Sequence, residues 1–240
     1  MTATERLYLQ DDHALAATAT VMARRDDGLA LDRTCFYPGG GGQPADCGTI
    51  ELAGGARLNV TGVQVEDGTL WHLTDAPPPA DAVGRPAALA VDGARRVALS
   101  RYHTVLHVLN TLALRDYGAW ITGAQIAPDY ARIDFKFEGF SPAVAAELEA
   151  KVNAVLAGEH RLRAYYVSEE EFRRRDDLRR TLTAEPPVVD GQVRVVEIGG
   201  FDAQACGGTH VGALAELGRC AIYKTENKGR INKRLYVRLS

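Results

Sequence analysis

The sequence predicts an α+β protein with a β-rich first part and a second part that mixes helices and strands. In about the first 80 residues, short apolar runs alternate with turn dipeptides such as Asp27-Gly28 and Asp67-Gly68, which are typical of β-hairpins. Further along, the apolar residues are spaced as in a helix. One stripe of that spacing is formed by Tyr102, Val105, Leu106, Leu109 and Leu112.

The apolar runs of the first part have the length of β-strands and are separated by turn residues. Because no helical period interrupts them, we expect a small all-β unit, either a barrel or a sandwich. The predicted strands lie at residues 28–31, 48–52, 57–60, 63–65 and 69–73.

A proline-rich stretch at residues 76–86 is the clearest boundary signal in the chain. It contains three consecutive prolines, Pro77 to Pro79, which fit neither a helix interior nor a central strand. We therefore expect a stiff connector, with one domain at residues 1–86 and a second at 87–240.

The second part carries clear helix and strand signals. The apolar stripe predicts a long helix over 94–114, and Ile133, Phe135 and Phe137 alternate with charged residues as in a half-buried strand. Ser141 followed by Pro142 predicts the start of another helix, and Ser168 with Glu171 forms a capping box. Further strands are expected at 163–167, 193–198, 220–224 and 234–239.

Composition and charge exclude several classes of protein. With 240 residues, 46% hydrophobic and 25% charged, the chain is neither disordered nor collagenous. It has no uncharged run of ~18 residues and no signal peptide at its start, so we expect no membrane contact. Its four cysteines are too few for a disulfide scaffold, which favours a reducing, cytoplasmic location.

Two short motifs offer metal ligands. His103 and His107 are four residues apart on the predicted helix and so share one face. About a hundred residues later, Cys206 and His210 flank a Gly-Gly-Thr turn, and cysteine with histidine is the donor set that zinc prefers. Position 104 is threonine, so the glutamate of a metalloprotease is missing. Two histidines at this spacing also arise by chance on exposed helices.

A run of four glycines, Gly39 to Gly42, precedes Gln43 in the β-rich part. Consecutive glycines lose much backbone entropy on folding, so they are expected where the chain needs positive φ or close approach. The run is not a phosphate-binding P-loop, since no Lys-Ser/Thr follows it. A flexible hairpin tip is the alternative interpretation.

Together these motifs resemble the AlaX family of free-standing alanyl-tRNA editing proteins, which is related to the editing domain of alanyl-tRNA synthetase. The resemblance is carried by Thr34-Cys-Phe-Tyr-Pro-Gly-Gly-Gly-Gly-Gln-Pro-Ala-Asp-Cys-Gly48, His103-Thr-Val-Leu-His-Val-Leu109 and Gly200-Phe-Asp-Ala-Gln-Ala-Cys-Gly-Gly-Thr-His-Val211. It spans roughly residues 30–240 and points to the medium-length class. No aminoacylation domain is visible, so the activity would be independent of ATP.

The resemblance implies a small N-terminal β-barrel joined to a C-terminal α+β editing domain that holds one zinc ion. It also implies an activity, the hydrolysis of the ester in serine-mischarged and sometimes glycine-mischarged tRNA(Ala). The partner would be the acceptor end of that tRNA.

The same resemblance assigns roles to individual residues. His103, His107, Cys206 and His210 would be the zinc ligands, although a metal-free hydrogen-bonded cluster is the alternative. Thr34 and Gln43 would be catalytic, with the Thr34 hydroxyl recognising the seryl hydroxyl. Substrate would also contact Gly39, Gly40, Gly41, Gly42 and Asp202. Thr34 could instead be an ordinary strand residue and Asp202 a loop cap.

Basic residues near the end of the chain suggest where RNA would bind. The net charge is −3, yet residues 221–240 contain six basic side chains and one acidic one. Such a strip can contact the phosphates of an acceptor stem, whereas the alternative is an edge strand protected by charge. The candidates are Lys228, Arg230, Lys233 and Arg234, with Arg95, Arg96 and Arg101 beside the long helix.

Two further functions remain open on sequence grounds. One is an editing esterase for another aminoacyl-tRNA, since the paired zinc motif also occurs in the editing domain of threonyl-tRNA synthetase. The other is a non-enzymatic RNA-binding module with a structural zinc site. The oligomeric state is not specified by the sequence.

Overall fold

The computed structural model describes residues 4–181 and 185–240, which form a mixed α/β structure. The chain divides into two compact units. The first comprises Met1–Gly40 and Pro44–Val97, and the second comprises Gly41–Gln43 and Ala98–Ser240. None of the helices in the described ranges is both long and apolar enough to cross a membrane.

The first unit is built around a closed six-stranded barrel. In chain order its elements are β1 (Glu5–Arg6), α1 (Leu7–Gln10), β2 (Ala16–Arg25), β3 (Gly28–Leu31), β4 (Arg33–Thr34), β5 (Gly48–Leu52), β6 (Arg57–Glu66), β7 (Thr69–Thr74) and β8 (Pro86–Val91). The barrel order is β2-β3-β7-β6-β5-β8, and β1 pairs in parallel with β4 beside it. The β-rich first part is therefore confirmed, and it is a barrel rather than a sandwich.

Alternation along the strands fills the barrel interior. In β8, Ala87, Leu89 and Val91 are buried while the residues between them are exposed, as expected for a strand with one face on a core. The proline-rich stretch leads directly into β8, which pairs with β2 and β5. The predicted domain limits, 1–86 and 87–240, remain a prediction, and β8 belongs to the barrel.

One basic residue of the predicted helix start is buried in the first unit. Arg96 is 1% exposed, and its guanidinium pairs with the buried carboxylate of Asp46 and donates to the backbone oxygen of Cys35 at 2.7 Å. Asp46 also accepts from the backbone N–H of Tyr37 at 2.6 Å. The interpretation of Arg96 as part of an RNA-facing strip is therefore wrong, because a buried, paired cation is not available to phosphates.

The second unit contains the helices that the sequence predicts. They are α2 (Gly93–Tyr117, which begins in the first unit), α3 (Pro142–Leu156) and α4 (Glu169–Arg174). Ser141 caps α3 by accepting from the backbone N–H of Val144, and Ser168 caps α4 in the same way from Glu171, so both predicted starts are confirmed. Two short 3-10 turns lie at Asp176–Leu178 and Leu214–Glu216.

Two four-stranded sheets complete the second unit. Their strands are β9 (Trp120–Ile126), β10 (Ala131–Lys136), β11 (Leu162–Ser168), β12 (Val188–Val189), β13 (Gln192–Ile198), β14 (Asp202–Ala205), β15 (Cys220–Asn227) and β16 (Asn232–Leu239). One sheet has the order β15-β16-β10-β9, and in the other β13 pairs with β11, β12 and β14. A core of buried side chains from α2, α3 and the first sheet includes Leu109, Leu148 and Phe135.

Candidate metal centre

Four side chains with metal-binding atoms meet in the second unit. They are His103, His107, Cys206 and His210, and their ligand atoms all lie within 4.8 Å of one another. The sulfur of Cys206 is 3.6 Å from Nε2 of His103 and 3.4 Å from Nε2 of His210. The cluster that the sequence predicts is therefore assembled, with three of its members buried and Cys206 half-buried.

The helix α2 and the end of β14 bring these side chains together. His103 and His107 are one turn apart on α2, and their rings lie 5.0 Å apart in an edge arrangement. Cys206 follows β14 directly, and its backbone N–H donates to the backbone oxygen of Arg194 on β13 at 3.0 Å. Pairing between β13 and β14 therefore fixes where the cysteine loop begins.

The two glycines of the cysteine loop are needed for space. A Cβ on Gly208 would lie 2.2 Å from Cε1 of His103, and one on Gly207 would lie 2.6 Å from Cγ of Pro187. Neither glycine has positive φ. The sequence suggested a tight turn at this point, whereas the structure shows close packing as the reason for glycine.

Hydrogen bonds fix the orientation of two of the three imidazoles. Nδ1 of His103 lies 2.8 Å from Oε1 of Gln43, and Nδ1 of His210 lies 3.0 Å from the hydroxyl of Thr104. The Thr104 hydroxyl donates to the backbone oxygen of Ser100 at 2.8 Å, so it accepts from His210. In both rings Nδ1 thus carries the proton, and Nε2 is left unprotonated toward the sulfur, which is the tautomer that metal ligation requires.

Gln43, predicted to be catalytic, is 2% exposed and is held by several partners in the second unit. Its Nε2 donates to the hydroxyl of Thr209 at 2.8 Å, while its Oε1 also accepts from the backbone N–H of Thr209 at 3.2 Å. The Thr209 hydroxyl lies 2.7 Å from that of Ser100. This network orients His103 through Gln43 and connects the cysteine loop to α2.

Burial keeps the three imidazoles neutral. It lowers the pKa of His103 to about 4, with the Arg194 guanidinium adding to the effect. The pKa values of His107 and His210 are lowered well below their ordinary value, again mainly by burial and then by neighbouring histidines and Arg194. Arg194 donates to the backbone oxygen of Gly208 at 2.9 Å, so a fixed positive charge lies against the cysteine loop.

The arrangement fits a zinc ion. Zinc–sulfur bonds of about 2.3 Å and zinc–nitrogen bonds of about 2.0–2.1 Å in a tetrahedron place sulfur and nitrogen donors about 3.5 Å apart. The observed separations of 3.6 Å and 3.4 Å match that value. Three neutral imidazoles and one thiolate are also the ligand types that zinc prefers. His103, His107, Cys206 and His210 would hold the ion.

Asp202 takes part in a neighbouring polar network. Its carboxylate pairs with Arg180 and accepts from the amide of Gln204 at 2.7 Å. Gln204 also donates to the hydroxyl of Thr111 on α2 at 3.3 Å. Asp202 thus links β14 to the residues after α4, and its predicted contact with substrate remains a prediction. The neighbouring helix α4 carries charge pairs one turn apart, such as Arg173 with Glu169 at 2.5 Å.

The glycine-rich run adopts a backbone that favours glycine throughout. Gly39, Gly40, Gly41 and Gly42 have φ values of 87°, 136°, 59° and 89°. A Cβ on Gly42 would lie 2.6 Å from the backbone oxygen of Ala124 on β9, and Gly42 accepts from the N–H of Ile126 at 2.9 Å. The close approach of Gly42 to β9 therefore fixes the position of the next residue, Gln43. The predicted contacts of the four glycines with substrate remain predictions.

Thr34 lies in the first unit, where its side chain is fully buried. Its hydroxyl is 2.7 Å from Nε2 of His72 and accepts from the backbone N–H of Phe36 at 3.0 Å. Nδ1 of His72 lies 3.1 Å from the backbone oxygen of Leu29 and donates to it, so Nε2 accepts from Thr34. The hydroxyl of Thr34 therefore donates its hydrogen bond to His72. The catalytic role of Thr34 remains a prediction.

The predicted RNA-contacting residues lie at the connection between β15 and β16. Lys228 and Arg230 are exposed, whereas the ammonium of Lys233 donates to Oδ1 of Asn227 at 2.9 Å. Arg234 forms two hydrogen bonds with the carboxylate of Asp134, at 2.6 Å and 2.7 Å. The contact of these four residues with RNA remains a prediction.

The other three cysteines are packing residues. Burial raises the pKa of the Cys35 thiol to about 11 and that of Cys220 to about 12, which makes both unreactive. Cys47 is half-buried, and its sulfur lies 3.3 Å from the backbone oxygen of Thr61.

Sequence reasoning missed Thr104 and Arg194 as partners of the cluster. In the sequence, Thr104 is notable only because it stands where a metalloprotease has glutamate. Arg194 is 4% exposed and lies between the buried Val193 and Val195, and a charged residue between two buried valines is the signal that could identify it.

Comparison with known proteins gives consistent matches over the chain. The family model described as the threonyl and alanyl tRNA synthetase second additional domain matches residues 193–236, and that of class II (A) tRNA synthetases matches residues 5–95. The alanyl-tRNA editing protein AlaX-M of Saccharolobus solfataricus is 35% identical, covering 97% of this chain and 98% of its own length. AlaX-M of Methanosarcina barkeri is 36% identical, covering 98% and 99%. An alanine–tRNA ligase of Korarchaeum cryptofilum is 37% identical over 92% of this chain and 24% of the ligase.

Proposed function

The chain belongs to the AlaX-M family of alanyl-tRNA editing proteins, and from this premise we propose that it removes serine, and also glycine, from mischarged tRNA(Ala) in a zinc-dependent reaction. Editing proteins of this family deacylate mischarged tRNA, so the chain is a hydrolase that cleaves the aminoacyl ester. The observation that supports the proposal most strongly is the convergence of three imidazoles and one thiol within 4.8 Å.

Bound zinc would polarise the ester carbonyl and lower the pKa of a coordinated water to ~7. The protein's own contribution is to hold the ligands in the correct protonation state. Gln43 and Thr104 each accept a hydrogen bond from the protonated Nδ1 of a ligand ring, which leaves both Nε2 atoms as electron-pair donors. Burial keeps the rings neutral, and Arg194 holds the cysteine loop by donating to the backbone oxygens of Cys206 and Gly208.

Thr34 is proposed as the residue that distinguishes serine from alanine. Because its own proton goes to His72, its oxygen can only accept, and a seryl hydroxyl can donate to it. An alanyl group offers no such donor, and a site built around a hydroxyl discriminates strongly against an analogue that lacks one. Asp202 and Gly39 to Gly42 are also proposed to contact the substrate.

The proposed partner is the acceptor end of tRNA(Ala), with Lys228, Arg230, Lys233 and Arg234 contacting its phosphates. Of these, the exposed Lys228 and Arg230 are the better placed, since Arg234 is already paired with Asp134. A cytoplasmic location is proposed from the composition alone.

A purely structural role of the zinc is the second candidate. It is favoured by the number of protein donors, because four ligands close a tetrahedral site whereas catalytic zinc keeps one position open. Under this alternative the metal would stabilise the fold and take no part in the hydrolysis.

The test is deacylation of tRNA(Ala) charged in turn with serine, glycine and alanine. The proposal expects rapid loss of serine, measurable loss of glycine and protection of the alanyl ester. Equal rates for seryl and alanyl esters would contradict the substrate assignment. Hydrolysis of the seryl ester that persists after removal of the metal would favour the structural role of the zinc.

A further inference from the structure

The sheet β15-β16-β10-β9 has one apolar face and one polar face. Ile133, Phe135, Leu235 and Val237 are fully buried on the first, which packs into the core. Alternation directs their neighbours on β10 and β16 to the opposite face, and a β-bulge between Ile222 and Lys224 brings the consecutive residues Tyr223 and Lys224 of β15 to that face as well. On that face, β15 and β16 present Tyr223, Lys224, Tyr236 and Arg238, and we call these four residues the tyrosine–cation face.

Cations and aromatic rings are stacked on the tyrosine–cation face. The guanidinium carbon of Arg238 lies 4.5 Å from the ring centre of Tyr223, and the ammonium of Lys224 lies 4.9 Å from that of Tyr236. The two rings are 6.1 Å apart, and the ring of Tyr130 lies 6.5 Å from that of Tyr236. Tyr223 is 43% exposed, which is unusual for a large ring.

The charge of this surface differs from that of the whole chain. Cross-strand neighbours on the same face add Arg132 and Arg234 as cations and Asp134 and Glu226 as acids. Asp134 is shared between Arg132 and Arg234, so two cations face one carboxylate. The surface therefore carries excess positive charge on a chain whose net charge is −3.

Flat rings beside cations match the chemistry of unpaired nucleotides. Bases stack on tyrosine rings and on guanidinium planes, and phosphates are attracted by the adjacent charges. An acidic peptide would match the charge, but it offers no flat partner for the exposed rings. We propose that the tyrosine–cation face binds unpaired nucleotides of RNA. This proposal rests on the proposed function, because the face would supply a contact to the tRNA substrate.

The experiment measures binding of the full chain to a short single-stranded RNA and to deacylated tRNA(Ala) by fluorescence anisotropy. The test variant combines Tyr223→Ala with Arg238→Ala. The matched control combines Tyr166→Ala with Arg163→Ala, since Tyr166 is 41% exposed and both residues lie on β11 of the other sheet. Thermal unfolding of each variant checks that the fold is intact.

We expect the test variant to bind single-stranded RNA about tenfold more weakly or worse, because each stacked base contributes on the order of a tenfold factor or more. Its slope of log K against log salt should fall by about 0.7 for the lost phosphate contact. Tyr223→Phe should keep nearly wild-type affinity, because the ring remains. The control variant should bind like the wild type.

Several results would overturn the inference. One is equal loss of affinity in the test and control variants, and another is unchanged binding in the test variant. Tighter binding of a polyglutamate peptide than of RNA would assign the face to an acidic protein instead. The outcome is separable from the proposed function: a wild type that binds RNA through this face without deacylating Ser-tRNA(Ala) would refute only the latter.

Discussion

Buried histidines occur in both units, and their surroundings differ. In the barrel, both nitrogens of His72 have a partner, since Nδ1 donates to Leu29 and Nε2 accepts from Thr34. In the second unit, Nδ1 of His103 and Nδ1 of His210 have partners, but both Nε2 atoms point toward the sulfur of Cys206. The pKa of His72 and that of His103 are each lowered to about 4, mainly by burial.

A lowered histidine pKa therefore does not distinguish a metal ligand from a histidine that is buried in a core. The partner of Nε2 does distinguish them. Two neutral Nε2 atoms are both acceptors, and the single thiol proton can satisfy only one of them. A cation in the middle satisfies both nitrogens and the thiolate at once. The barrel histidine, His72, needs no such ion because the hydroxyl of Thr34 already donates a hydrogen bond to its Nε2.

The largest effect is expected for Cys206→Ala, which removes the only thiolate of the cluster. Metal affinity should fall by more than the roughly 10–100-fold that loss of a hydrogen-bonded partner costs, and deacylation should fall with it. Metal analysis and single-turnover kinetics measure the two quantities. Cys47→Ala serves as the control, and loss of metal in that variant would show that the effect is not specific to the cluster.

Gly208→Ala should be the next most damaging change. Its Cβ would collide with the ring of His103, with 2.2 Å to Cε1 and 2.5 Å to Nδ1, so the ligand must move. We expect weaker metal binding and an altered ligand geometry in the absorption spectrum of the cobalt-substituted protein. Gly123→Ala is the matched control, since its Cβ would meet only Oδ2 of Asp134, at 3.7 Å. A cobalt spectrum unchanged in Gly208→Ala would contradict the close packing described here.

Gln43→Ala tests the support of a ligand rather than the ligand itself. Loss of the acceptor for Nδ1 of His103 should weaken metal binding or activity by about 10–100-fold. Gln43→Glu keeps an acceptor at that position and should recover much of the loss in metal affinity. If Gln43→Ala retains metal as tightly as the wild type while losing activity, Gln43 acts on substrate and not through His103.

The smallest effect on metal, but a clear effect on stability, is expected at His72. Its pKa is about 4 in the folded state against 6.5 ordinarily, so between these pH values only the unfolded chain takes up the proton. The contribution of His72 to the free energy of unfolding is therefore fully present above pH 6.5. It declines by about 3 kcal/mol in total as the pH falls toward 4. Urea unfolding of wild type and His72→Gln at several pH values measures the difference, which should narrow with acid. A difference independent of pH would contradict a neutral, buried His72.

Local signals in the sequence were sufficient for several strands, for the helix caps and for the four candidate ligands, but they did not predict the strands β2, β8 and β9. The ligands could be found because each pair has a short, fixed spacing and an unusual chemistry. Thr104 and Arg194 could not be assigned, since their roles depend on neighbours that only the folded chain supplies. Arg180 shows the same limit, because it lies among charged residues typical of a solvent-exposed helix yet pairs with the half-buried Asp202.

The glycines show a second limit of sequence reasoning. Four consecutive glycines predict positive φ or close approach, and the structure shows positive φ at all four, with the close approach made by Gly42 to Ala124. Gly207 and Gly208 instead serve close packing without positive φ. The sequence indicates that glycine is required in both places, but the reason depends on which atoms lie beside each residue.

Metal removal and restoration test the central claim most directly. The rate of Ser-tRNA(Ala) deacylation is measured in the purified protein, after chelation, and after addition of one equivalent of zinc. We expect one zinc per chain, loss of hydrolysis on chelation and recovery of hydrolysis when zinc is added. The variant Cys206→Ala should show no recovery. Full hydrolysis by the metal-free protein would contradict the assignment of these four side chains to a metal centre that the reaction needs.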